Sequence, residues 1–137
     1  MPNKEEIQED YGKLQLAEQQ IQGLHEQVEA VQHRVQEFSI LTDSLDEFQD
    51  VKPGSEILVP LGPGIFAKAS LKDNKELLMN VGANIVLKKK LPEVKEDIKK
   101  QVNELIELNN NLGEELQKVI SRAREIQQKI LSSVNKQ

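Results

Sequence analysis

The chain has no cysteine, no tryptophan, one tyrosine and three phenylalanines in 137 residues. Without cysteine there can be no disulfide, no thiolate metal site and no cysteine nucleophile, and a reducing compartment such as the cytoplasm is the easier home. With aromatic residues at 3% and charged residues at 30%, there is little bulky material for a compact core, and an elongated molecule fits better. No apolar run approaches the roughly 20 residues needed to cross a bilayer. The stretch Asn3-Lys4-Glu5-Glu6 is polar where a signal peptide would carry its apolar segment. A soluble, cytoplasmic protein without a membrane span is expected.

What the sequence does have is two seams. Leu14, Ile21, Val28 and Val35 recur every seven residues, and Ala17, Leu24, Val31, Phe38 and Leu45 follow at the intermediate spacing of three. Near the other end Val102, Asn109, Leu116, Ala123 and Ile130 form one series, and Ile98, Leu105, Leu112, Val119 and Ile126 the other. A hydrophobic period of 3.5 keeps one stripe of a helix facing a partner over many turns, so both stretches read as coiled-coil strands. The first helix is expected over about Asn3–Phe48 and the second over about Leu91–Ser133. Asn3 with Glu6 three residues on forms a capping box, and Pro92 sits where a first-turn proline is tolerated. If the two helices pair antiparallel with residue numbers adding to about 140, a and d positions oppose each other throughout. Ile21 then faces Val119, Leu24 faces Leu116, Val28 faces Leu112, Val31 faces Asn109, Val35 faces Leu105 and Phe38 faces Val102. Asn109 either sits in the seam and fixes register at a cost in stability, or turns outward while Leu108 covers the gap.

Between the helices the period changes. Pro53-Gly54 breaks the first helix. Ile57 to Leu61 and Ile65 to Leu71 flank Gly62-Pro63-Gly64, and Leu77 to Val81 and Ile85 to Lys88 flank Gly82-Ala83-Asn84. That plan gives two β-hairpins, joined by Lys72-Asp73-Asn74-Lys75. Isolated hairpins are marginal in water, yet Ile57, Leu58, Val59, Leu61, Ile65, Phe66, Leu77, Leu78, Met79, Val81, Ile85, Val86 and Leu87 are apolar on both faces. Such strands call for more sheet from other subunits. The organisation expected is therefore α+β: a helix over residues 1–50, two oligomerising hairpins over 51–90 and a helix over 91–137.

Charge and motifs narrow the chemistry. Residues 1–50 carry three basic side chains against twelve acids, residues 51–90 seven lysines against three acids, and the remainder balances. An acidic first helix repels phosphate backbones, which argues against nucleic-acid binding. Lys88-Lys89-Lys90, the basic run, reads as a solvated strand end. His25 and His33 lie eight apart without the i,i+4 spacing of a helical zinc site. Gly62 to Lys68 lacks Walker spacing, and no serine stands in a Gly-x-Ser-x-Gly setting. Paired helical acids such as Glu114-Glu115 read as solvation. No metal, no nucleotide or other cofactor and no enzyme are expected.

The string from Glu56 to Leu71 (EILVPLGPGIFAKASL) and that from Leu77 to Lys89 (LLMNVGANIVLKK), set between matched helices, resemble the α-type subunit of prefoldin. The most specific elements are Leu58-Val59-Pro60-Leu61-Gly62 and Val81-Gly82. Two hairpins favour the α type, since the β type has one, and the cysteine-free, Lys/Glu-rich composition is more similar to archaeal members. Pro63 between two glycines departs from many relatives and stiffens that turn. The resemblance implies an ATP-independent chaperone of two α and four β subunits, whose hairpins close into β-barrels. It further implies that the coiled-coil tips hold non-native polypeptides and deliver them to a group II chaperonin. Near the free helix ends the residues available for such contact are Ile7, Tyr11 and Leu14 on the first helix and Ile126, Ile130, Leu131 and Val134 on the second. Burial of apolar surface is non-directional and so suits clients of many sequences. Leu14 and Ile126 also suit plain seam closure, whereas Leu131 and Val134 lie partly off the seam. The alternatives are a structural scaffold or filament protomer, which gains nothing from such off-seam residues, and an adaptor for one folded partner.

Overall fold

A computed structural model describes residues 4–135. Asn3, the expected cap, lies outside the described residues. The chain runs α1 (Lys4–Gln49), β1 (Glu56–Gly62), β2 (Ile65–Ser70), β3 (Glu76–Gly82), β4 (Ile85–Lys90) and α2 (Leu91–Asn135). Each helix reaches one or two residues beyond its predicted end. The helices, of 46 and 45 residues, contribute to two compact units. One joins α1 up to Val35 with α2 from Glu104, and the other is Gln36–Asn103.

In the first unit the heptad residues form the core. Ala17, Leu24 and Val31 of α1 and Leu112, Leu116, Val119 and Ala123 of α2 are buried, with Leu14, Ile21, Val28, Val35, Leu105 and Ile120 half-buried around them. None of the large apolar side chains described is completely buried. This is the geometry of a two-stranded seam, in which each helix covers one stripe of the other and leaves the flanks to water. The Asp10–Lys129 ion pair makes the helices antiparallel. In the second unit Lys95 pairs with Asp46 at 2.8 Å. Both pairs fit the register in which residue numbers add to about 140. Asn109 does not turn outward: its Oδ1 is buried without a hydrogen-bond partner among the described residues, while Leu108 is exposed.

The second unit has its own core of Leu45, Leu91, Val94 and Ile98, against which Phe38, Leu77 and Val102 pack. Each hairpin is a separate two-stranded antiparallel sheet. In the first, Glu56 pairs with Ser70 and Pro60 with Phe66, then the register shifts so that Gly62 meets Ile65. The second repeats this pattern from Glu76 and Lys90 through Asn80 and Val86 to Gly82 and Ile85. The turns use different chemistry. Pro63 presets a negative φ and Gly64 follows at +73°, as a type II turn requires. Ala83 and Asn84 both adopt positive φ, 50° and 61°, the backbone of a type I′ turn, which suits Asn better than Ala.

The connectors are tied by specific bonds. Asn74 Nδ2 donates to the carbonyl oxygens of Gln49 at 3.0 Å and Val51 at 2.9 Å, satisfying acceptors left over where α1 ends. Leu91 N donates to Lys75 O at 2.9 Å, and Gly54 N and Leu71 O meet at 2.6 Å. Lys89, whose side chain turns towards α2, pairs with Asp97 at 2.6 Å.

Candidate interaction surfaces

The hairpins present one surface. Leu58, Val59, Leu61, Ile65, Phe66, Leu78, Val81, Ile85, Val86 and Leu87 are exposed large hydrophobics. Ile57 and Met79 are half-buried. Leu77 alone of the thirteen hairpin residues singled out in the sequence packs into the core of the second unit. Strand alternation ordinarily hides one face and wets the other. Here strand residues on both faces are open to water, and among the described residues the outer edge of neither hairpin has a strand partner. Apolar faces and unpaired edges together are the surface onto which further strands add.

The chain-terminal end of the first unit presents the other. Tyr11 is 54% exposed, Leu131 60% and Val134 47%. Ile7, Leu14 and Ile126 are half-buried, and Ile130 is 5% exposed. The seven residues expected at this end therefore divide: three are open to solvent, three flank the seam, and Ile130 closes it. Asp10 belongs to the same end and was not anticipated. It stands seven residues before Ala17, so extending the heptad series one step would have placed it in the seam. It is 4% exposed, and Lys129 lies 3.4 Å from its Oδ1.

His25 and His33 are exposed on α1, and among the described residues no group of three His, Asp or Glu side chains is placed to hold a metal ion. Nor is any described helix long and apolar enough to cross a membrane. An open hollow in the second unit is lined by Gln49, Asn74, Lys75, Glu76, Lys90, Leu91, Pro92 and Lys95. Its Lys95 is already engaged by Asp46 and Gln49.

Two long helices that share a heptad seam, with two-stranded hairpins of exposed apolar residues between them in the chain, define a coiled-coil protein. A family model describing prefoldin subunits matches residues 17–136, and the chain belongs to the prefoldin family of chaperones. It is 29% identical to prefoldin subunit alpha of Archaeoglobus fulgidus over 144 aligned positions, covering 100% of both chains. It is 32% identical to prefoldin subunit alpha of Thermofilum pendens, covering 93% of this chain and 97% of that one. Among solved structures, the filamentous prefoldin of Methanocaldococcus jannaschii superposes with a TM-score of 0.78 at 15% identity, over 87% of this chain and 98% of that one. That likeness confirms the fold of two long helices with two small hairpins between them.

Proposed function

We propose that the chain is the α subunit of an ATP-independent holdase, which binds non-native polypeptides at the chain-terminal end of its coiled coil. The observation that carries this reading is the exposure of Tyr11, Leu131 and Val134 at that end. None of the three is needed to close the seam. Each offers apolar surface worth about 25 cal/mol per Å² when a client covers it, without sequence preference. A single such contact is weak, and several coiled coils engaging one unfolded chain multiply it through effective concentration.

The hairpins are the assembly element in this reading. They join β-type prefoldin subunits, two α with four β, in shared β-barrels, and the loaded complex passes its client to a group II chaperonin. The cytoplasm is where it works. Support comes from the exposed strand faces and from the α-type relatives.

The test is a Tyr11→Ser, Leu131→Ser, Val134→Ser triple variant mixed with a β-type partner. Because these side chains are exposed, assembly mass and thermal midpoint should stay put. Suppression of aggregation of a diluted denatured protein, measured without ATP, should fall. Unimpaired protection by the intact assembly would leave the scaffold alternative standing.

A further inference from the structure

Among the described residues Asp10 is the one buried charged side chain, and it lies in the seam where a coiled coil ordinarily places an aliphatic residue. In the register of this unit it stands opposite Ile130, itself buried. Of the three nearest layers only that of Leu14 and Ile126 sets two large apolar side chains against each other. Ile7 stands opposite Ser133, and Ala17 opposite Ala123, a layer of two small side chains that separates this end from the Leu24, Val28, Leu112 and Leu116 seam. Gly12, two residues from Asp10, is helical, and an added Cβ there would meet nothing within 4 Å. No close packing demands that glycine, and it costs helix stability.

The ion pair offsets only part of the burial. Lys129 Nζ is 3.4 Å from Asp10 Oδ1, at the long limit of a hydrogen bond, and the lysine side chain is 62% exposed. A carboxylate removed from water needs good geometry and several donors to recover its hydration. Opening the last layers returns Asp10 to water and at the same time uncovers Leu14, Ile126 and Ile130. The two events are the same motion.

We infer that Asp10 is a built-in release: its buried carboxylate holds the closed end of the coiled coil close to balance with an open one, and clients reach Ile130 and Leu14 through the open form. This rests on the reading of that end as the client surface. It adds a second, hidden apolar site to the permanently exposed one formed by Tyr11, Leu131 and Val134. Small apolar segments use the exposed residues alone, whereas a longer segment takes the opened stripe.

The experiment is amide hydrogen exchange on the full-length chain assembled with a β-type partner, alongside aggregation suppression, for Asp10→Leu and Lys129→Met. Asp10→Leu should slow exchange over residues 7–17 and 123–134 by roughly fivefold or more, since it removes a buried carboxylate from the seam and puts apolar packing in its place. It should also reduce client holding. Lys129→Met strands the carboxylate and should speed exchange in the same segments, so the two variants move in opposite directions, which nonspecific damage would not do. Exchange around Leu24 and Leu116 serves as the internal reference for global unfolding. If Asp10→Leu does not fold, Lys129→Met decides alone by the direction of its exchange. Unchanged exchange in either folded variant overturns the release, and slowed exchange with undiminished holding overturns its role in client access. A wild-type assembly that holds no client refutes the holdase reading, and the exchange data then still decide whether Asp10 sets the opening.

Discussion

Asn74, in the loop between the hairpins, donates from one amide nitrogen to both Gln49 O at 3.0 Å and Val51 O at 2.9 Å, closing off the end of α1 from 23 and 25 residues away in sequence. The sequence offers it only as one of four polar connector residues. Its two bonds tie the loop that carries β3 to the last turn of the helix, so it fixes where the second hairpin begins.

Replacing Asn74 by Ala should cost about 1–2 kcal/mol, the usual effect of removing a side-chain partner from helix-terminal acceptors. Asn74→Asp should cost more than Asn74→Ala, because it sets a carboxylate against two carbonyl oxygens. Denaturant midpoints at a fixed protein concentration give the comparison. An Asn74→Ala variant as stable as the unmodified chain would show that the bonds contribute nothing.

Gly23 and Gly113 lie inside α1 and α2, and a Cβ at either position would meet nothing within 4 Å. Each change to Ala should stabilise the protein by about 0.8–1 kcal/mol, the helix-propensity difference alone. The gains should add, since the sites have no partner in common. A thermal midpoint that drops in either single variant would mean that the helix bends there.

Asn109→Leu should raise stability by about 1–3 kcal/mol, since the Oδ1 it removes is buried without a partner. The expected cost is in specificity, because a polar residue in the seam penalises shifted registers. Thermal unfolding measures the first effect. Cross-linking between cysteines introduced on the exposed flanks of the two helices measures the second. Lower stability in the variant would show that the amide is satisfied in solution.

Val59 and Leu78 are exposed within the chain and, in the proposed assembly, covered by neighbouring strands. Changing both to Asp places unpaired charges in that interface at a cost of several kcal/mol. Circular dichroism should keep its helix signal while sedimentation moves to the monomer. An unaltered assembly mass would exclude the hairpins as the interface.

Much of this architecture is legible in the residues. The seven-residue recurrence from Leu14 to Val35 and from Val102 to Ile130 marks both helices, and Pro53-Gly54 and the two glycine-bearing turns mark the hairpins, because period and punctuation are local properties. The register also follows, since one stripe can face another in few ways. What escapes is what depends on distant neighbours. Asp10 looks like one more acid on an acidic helix until the seam is extended to it. Leu77 alternates like its exposed neighbours, yet packs on α2. Ile130, counted both in the seam series and among the residues available for contact, is buried, and one step of 100° around the helix exposes Leu131.

The order in which the chain is joined follows from its layout. The second unit is a continuous stretch, Gln36–Asn103, whereas the first brings together two segments with that stretch between them. Loop closure is least costly for partners near in sequence, so within the first unit Val35 and Leu105 can meet before Leu14 and Ile126, and each layer formed shortens the loop that the next must close. Folding of that unit on this plan is a zipper that starts at Val35 and Leu105 and runs towards the two termini. Asp10 and Lys129, 119 residues apart, join near its end. On a nascent chain the N-terminal part of the α1 stripe, from Ile7 to Ala17, has no partner until nearly all of α2 has been synthesised. The last layers to close are also the first to open, so assembly and release run along one track in opposite directions.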